Sequence, residues 1–471
     1  MIEELGLWPT LFLKFESHRI FILRMVVAIG VLLFTVGVSL LFSLKDPVYG
    51  AILAALPFGV AFFFVVQSRL YLMPILILAA AAYIPFSLPT GTGSRLVISL
   101  VLSVGFLALW WFRKAVIEKN FELVRTYANV PVFGFSVTVL VSFVWSMIFR
   151  DPLLFVPNSF IFVQSASAVI MVVSPFMLLL VANLVQTEKQ LKTMAWLMIS
   201  VGVFGYIGNY MNGRLPVNTA GLASMWIVGL ATSMALFDKT LSRFVRFLLI
   251  VLAALWMHWN FVVSLSWVSG WLPCFVAGGV ILFFRSKKLL AVGIILLAIY
   301  IFTNTSILEQ WFGNVTVTSG DTRLLAWQMN WRFTSQHLLF GMGPAGYAVY
   351  YMTYYPLEAM ATHNNYIDLI SETGVVGSAF YLALFAVLVW RGWVVYQRVK
   401  GRRDFLEALA ATGLGGALGC IVIMAFGDWL LPFAYTQTIA GYSYTVYSWL
   451  FMGTILALDL ITAKAGFQPV E

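Results

Sequence analysis

Long apolar runs recur along this chain, each close to the ~20 residues that an α-helix needs to cross a bilayer. Fourteen stand out, at about 25–43, 47–66, 70–88, 95–112, 130–149, 160–185, 193–210, 218–236, 246–264, 267–284, 289–303, 375–396, 407–426 and 441–461, with boundaries good to roughly 2–4 residues. Within lipid every backbone N–H and C=O must be satisfied inside the protein, so only helices or a closed barrel can span. A barrel would show alternating strands of roughly ten residues. The expected class is therefore all-α: a polytopic membrane protein of about 14 helices, 12 at the fewest. The third run, ending in Pro85 and Pro89, and the short eleventh are the least regular. Composition closes the soluble alternative, since 61% of residues are hydrophobic and only 10% charged, against about 25% charged in a soluble domain.

The net charge of +9 does not indicate nucleic-acid binding, because the basic residues lie in short clusters between apolar runs. Cys274 and Cys420 both sit inside such runs, which excludes a disulfide framework and a cysteine-rich metal site. Residues 1–24 are mixed in character and no small-residue cleavage site follows them, so the first span is expected to serve as the insertion signal. With a cytoplasmic N-terminus, 22 of the 28 lysines and arginines fall on the inner side and 6 on the outer, as the positive-inside rule requires. Both termini are then cytoplasmic.

Residues 304–374 form the one long segment without a span, and they fall outside. A structureless loop of that length is unusual, so it is expected to carry helices of its own. The spacing of Leu325, Met329 and Phe333 predicts a helix over 322–337, broken by Gly341, Gly343, Pro344 and Gly346; a second is expected to start near Thr362 and run into the twelfth span. With no internal repeat or linker, 1–471 reads as one integral domain that includes this loop.

The six outer basic residues are Lys45, Arg95, Arg150, Arg214, Arg323 and Arg332. Lys45, Arg95 and Arg150 are most simply interfacial anchors. Arg214, in the polar turn NGRLPVN, and Arg323 and Arg332, in the predicted loop helix, are either anchors or phosphate ligands, for which the planar guanidinium fork is suited. His363 stands in THNNYIDLISETGVVG. A histidine titrates near neutral pH and suits proton transfer; the alternative is a structural or capping role. On a helix Asn364, Asp368 and Glu372 would share one face. His18 is on the inner side, His258 lies near the outer end of the ninth span beside Asn260, and His337 reads as a helix end. Aromatic residues crowd the loop, Trp327, Trp331, Tyr347 and Tyr350 among them, either as interface anchors or as a glycan-facing groove.

Two motif matches carry little. Residues 341–346 fit G-x-G-x-x-G by letter, but no βαβ unit surrounds them. Asn304 and Asn314 fit the glycosylation acceptor pattern, which has meaning only in a eukaryotic secretory host. No His, Asp and Glu set has metal-ligand spacing, so no metal and no cofactor is expected.

GMGPAGY followed by HNNYIDLISETGVVG, leading directly into a span, resembles the signature of the bacterial O-antigen ligase and O-antigen polymerase family. The matching positions are Gly341, Gly343, His363, Asn364, Glu372, Gly374 and Gly377. TRLLAW resembles the arginine–tryptophan element that opens the same loop, through Arg323 and Trp327; GRLPVNTAGLAS resembles an earlier arginine–asparagine turn, through Arg214, Asn218 and Ala220. The resemblance implies a metal-independent glycosyltransferase at the outer face of the bacterial inner membrane, with a fold similar to the membrane glycosyltransferase class that includes the peptidoglycan polymerases. It further implies an undecaprenyl-diphosphate-linked glycan as donor, and lipid A–core or another glycan as acceptor.

Under that implication Arg214, Arg323 and Arg332 would meet the diphosphate, His363 would act as base, and Glu372 or Asp368 would orient it or contact the acceptor. Asn364, Trp327 and Tyr347 are weaker candidates for glycan contacts. A polymerase that joins lipid-linked repeat units is the close alternative. A polysaccharide flippase is less favoured, because transporters carry internal repeats and broken helices at the midplane.

Overall fold

The structure is a computed structural model that describes residues 65–90, 94–211, 213, 215–264, 268–305, 321–357 and 361–467. Its contacts divide the chain at Leu70, and the unit Tyr71–Glu471 holds every element below. The expected first span lies outside the described residues, as does all of the second except residues 65 and 66.

The other twelve are all helices. They are α1 (Leu72–Tyr83), α2 (Ile98–Phe112), α3 (Asn129–Ile148), α4 (Phe160–Leu184), α5 (Glu188–Tyr210), α6 (Ala223–Phe237), α7 (Arg243–His258), α8 (Val268–Arg285) and α9 (Lys287–Thr303), followed after the loop by α12 (Asn365–Val399), α13 (Phe405–Ile423) and α14 (Tyr442–Lys464). The loop itself carries α10 (Asp321–Thr334) and α11 (Tyr347–Tyr354). Among the described residues nine helices, some with short extensions, are long and apolar enough to cross a membrane, while α1 and α6 are shorter and apolar. This is an all-α, multi-pass membrane protein. The third span is the most abbreviated: α1 stops before Pro85, and a small antiparallel hairpin of β1 (Ser87–Pro89) and β2 (Arg95–Val97) completes the stretch. The sequence reading did not foresee that hairpin or α11.

Helix starts follow local chemistry. Thr187 and Gln190 form a reciprocal capping box at α5, and the Asp404 carboxylate accepts the Leu406 N–H at 3.1 Å to open α13. Such caps satisfy the first, otherwise orphaned N–H groups. In the interior α14 packs on α4, α13 on α6 and α8, and α12 on α3 and α13. Trp226 of α6 stacks on Phe451 of α14 with ring centroids 5.3 Å apart. Its indole N–H donates to Ser448 Oγ at 3.0 Å, so the one polar atom of the ring is satisfied in an apolar core.

The connections between helices are tied to one another in two groups. In one group Asp151 accepts from the Tyr354 hydroxyl at 2.6 Å, the β1–β2 hairpin lies against Ile439–Gly441, and Asn365 binds Leu430 and Leu431. In the other the Lys239 N–H donates to Arg403 O at 2.9 Å, and Arg391 and Arg398 both clasp Asp459.

Candidate functional site

The loop between α9 and α12 builds a core together with Phe433 of the α13–α14 connection. Met342, Tyr347, Ala348, Tyr350, Tyr351 and Phe433 form one buried cluster, with Tyr347 and Phe433 stacked at 5.0 Å. α10 is tied to it by Tyr351, whose hydroxyl donates to Ala326 O, and by Trp327, whose indole N–H donates to Thr362 O at 2.8 Å.

A break in α12 joins this loop to the bundle. Gly374 has φ 66° and ψ −169°, which splits the helix in two. An intact helix would bond the Val375 N–H to Ser371 O and the Val376 N–H to Glu372 O. Instead Val375 N–H donates to Leu338 O at 2.8 Å and Val376 N–H to Leu339 O at 3.4 Å. The two freed carbonyls find new donors: Ser371 O accepts the Met342 N–H at 2.8 Å, and Glu372 O accepts the Ser142 hydroxyl. All four of these backbone groups thus keep a partner, which an apolar surrounding demands. The approach also explains two glycines. A Cβ on Gly374 would stand 2.4 Å from Leu339 O, and one on Gly341 (φ 70°) would stand 2.5 Å from the Glu372 carbonyl carbon. The Glu372 side chain completes the clamp, accepting the Ala345 N–H at 2.9 Å through Oε1.

His363 precedes this helix in the left-handed region, at φ 49°, a conformation that a non-glycine residue holds only when its surroundings fix it. Those surroundings are named side chains. Asn364 caps α12 by accepting the Tyr366 and Ile367 N–H groups. Asn365 grips the α13–α14 connection, donating to Leu431 O at 2.8 Å and accepting from Leu430 N–H at 3.2 Å. That grip carries Asp428 to His363: Nδ1 lies 3.4 Å from Oδ2. The carboxylate is fully buried, whereas 42% of the imidazole side chain is exposed.

Behind this pair lie two more buried carboxyl groups. Asp368 stands within hydrogen-bonding reach of Asp428 and accepts from the hydroxyls of Tyr347 (2.8 Å) and Thr362. Burial, and then the negative charges of Asp368, Glu372 and Asp428, push the Tyr347 phenol well above its ordinary value, so it remains a donor. Arg323 is half-buried; burial lowers its guanidinium, and the Asp428 charge opposes that. Among the described residues no group of three or more His, Cys, Asp or Glu is arranged to hold a metal ion.

The structure therefore brings together His363, Asp368, Glu372, Tyr347 and Arg323, with Trp327 bracing the segment before His363. It does not bring Arg332 to them. Nine residues of helix turn the side chain about 180° and advance it about 13 Å, so Arg332 faces away from Arg323, is exposed, and donates to the Tyr355 hydroxyl at 3.2 Å. The carboxylate against His363 is Asp428, not Glu372 or Asp368. Asn364 is the helix cap, and its side-chain oxygen is engaged by the Tyr366 and Ile367 N–H groups. Tyr347, fully buried, presents no open ring to a glycan. Arg214 lies outside the described residues; nearby, Asn218 donates to Ala81 O and accepts the Ala220 N–H, fixing its turn. Sequence reasoning missed Asp428, Asn365 and Ser142. The only signal for Asp428 was a lone acid in an otherwise apolar stretch, FGDWLLPF.

A bundle of apolar helices with a folded loop that holds a histidine against a buried carboxylate defines a multi-pass membrane protein. Residues 247–382 match the O-antigen ligase family model, so this stretch of the chain is similar to an O-antigen ligase domain. The matched residues include Arg323, His363 and Glu372; Asp428 lies beyond them. Comparison with curated proteins gives no match.

Proposed function

We propose that this protein transfers a glycan from undecaprenyl diphosphate to a hydroxyl of an acceptor, lipid A–core or a similar glycan, at the outer face of the bacterial inner membrane. The observation that carries this reading is the His363–Asp428 pair. It combines an accessible imidazole with a buried carboxylate on its Nδ1 side, the arrangement by which a carboxylate fixes the tautomer of a general base. With Nδ1 turned to Asp428, Nε2 is left for the acceptor hydroxyl. The acceptor oxygen attacks the anomeric carbon as its proton passes to Nε2. The bond from that carbon to the diphosphate breaks, and the electron pair leaves with undecaprenyl diphosphate.

Arg323 offers the positive charge that this leaving group needs, and Arg214 is proposed to join it. Attack from the base side opposite the departing diphosphate gives inversion. Glu372 acts as a positioning residue that locks the glycine turn through Ala345, and Asp368 supports Asp428 and Tyr347. The chain's own side chains thus supply both proton removal and charge neutralisation.

A transfer assay with purified protein tests the reading. One lipid-linked repeat unit plus lipid A–core should give a single shifted product. A ladder without added acceptor would instead assign polymerisation of the repeat units, and silence under both conditions would count against glycan transfer.

A further inference from the structure

Away from the glycan site, α8, α9, α12 and α13 enclose an apolar groove of about 730 Å³, lined by Phe275, Gly279, Phe284, Trp390, Trp393 and Leu414 among others. A second apolar cavity of about 330 Å³ lies beside it, and the two share Phe275, Gly279 and Leu290. Gly279 keeps the junction open: a Cβ there would meet only Leu290 Cδ1, at 4.0 Å. The groove reaches the end of α8 where Phe284 stacks on Tyr396 at 4.1 Å.

The mouth at that end is basic. Arg285, Lys287 and Lys288 are all exposed, and the Lys287 ammonium lies 5.7 Å above the ring of Phe283, itself part of the groove wall. The first turn of α9 holds no acid. Among the described residues none of the three cations joins an ion pair. The acid on the facing α13, Glu407, already accepts the Gly401 and Arg403 N–H groups.

We propose that this groove is a binding site for an anionic phospholipid, its phosphate at the Arg285–Lys288 turn and its two acyl chains in the two cavities either side of Leu290. The charge complementarity selects an anionic headgroup, since basic clusters beside membrane helices attract anionic lipids. The paired cavities match a two-chain lipid better than a single helix from a second copy, whose width of about 10 Å would need one undivided channel. The site is independent of the glycan-transfer reading.

Native mass spectrometry of the full chain, titrated with dioleoyl phosphatidylglycerol or dioleoyl phosphatidylcholine, tests it. Phosphatidylglycerol should be retained in preference. The double substitution Lys287→Ala, Lys288→Ala, at exposed positions that do not threaten the fold, should weaken its retention about thirtyfold. Gly279→Leu should fill the junction and abolish retention without lowering the melting temperature of the delipidated protein. Equal retention of the zwitterionic lipid, wild-type retention in Gly279→Leu, or a dimer dispersed by Gly279→Leu would each overturn the proposal.

Discussion

Nδ1 of His363 lies 3.4 Å from Oδ2 of Asp428, a carboxylate wholly removed from solvent and supplied by a different connection of the bundle. The pair stands within ion-pair reach and short of a hydrogen bond, and catalytic contacts of this kind often tighten only in the reacting complex. Asp428→Asn keeps the shape and the packing but withdraws the negative charge. Glycan transfer should fall by about 10² to 10⁴, mainly in kcat, with KM and the melting temperature close to wild type. A kcat within a few-fold of wild type would remove Asp428 from the positioning role.

The two loop arginines should separate cleanly. Arg323, whose guanidinium feels the Asp428 charge, is expected to lose about 10²-fold or more in kcat/KM as Arg323→Ala, from lost stabilisation of the departing diphosphate. Arg332, engaged with the Tyr355 hydroxyl on the opposite helix face, should change by only a few-fold as Arg332→Ala. Steady-state transfer kinetics on both variants measure the contrast; equal losses would contradict the site geometry.

Gly374 combines a left-handed backbone with a carbonyl 2.4 Å from where a Cβ would sit. Gly401 has φ 85° with nothing within 4 Å of that position. Thermal unfolding in detergent should therefore show Gly401→Ala costing about 1 kcal/mol, the conformational penalty alone, and Gly374→Ala costing several times more, with activity lost as the clamp on Ser371 and Glu372 opens.

His337 makes a pH prediction. Burial lowers its imidazole below the ordinary value, and the Asp151 charge opposes this; Nε2 meets the Tyr350 hydroxyl at 2.9 Å. A histidine whose folded value is depressed is protonated more readily when unfolded, so stability falls as pH drops below about 6.5 and is unaffected above that. The melting temperature should decline between pH 7 and pH 5.5, and His337→Gln should flatten that decline. Asp151, lowered by its bond to Tyr354, shifts stability in a separate window, lost only as pH falls below about 4.

Much of this architecture was legible because a bilayer imposes one length and one secondary structure on each span. The helices from Leu72 onward follow the apolar runs. Gly374 was visible as a glycine in a motif, but not its consequence, that Val375 and Val376 exchange helix partners for Leu338 and Leu339. Asp428 could not be read, because its meeting with His363 depends on the grip of Asn365 on Leu430 and Leu431, and no local pattern encodes such a contact. The separation of Arg323 from Arg332 was readable: nine residues is two and a half helical turns, which rules out a shared face.

Turnover of His363→Gln, with donor binding followed separately in the same preparation, tests the central claim most directly. The expected result is wild-type binding of the lipid-linked glycan with transfer reduced by about 10² or more. Wild-type turnover in His363→Gln would contradict the assignment of His363 as the base that takes the acceptor proton.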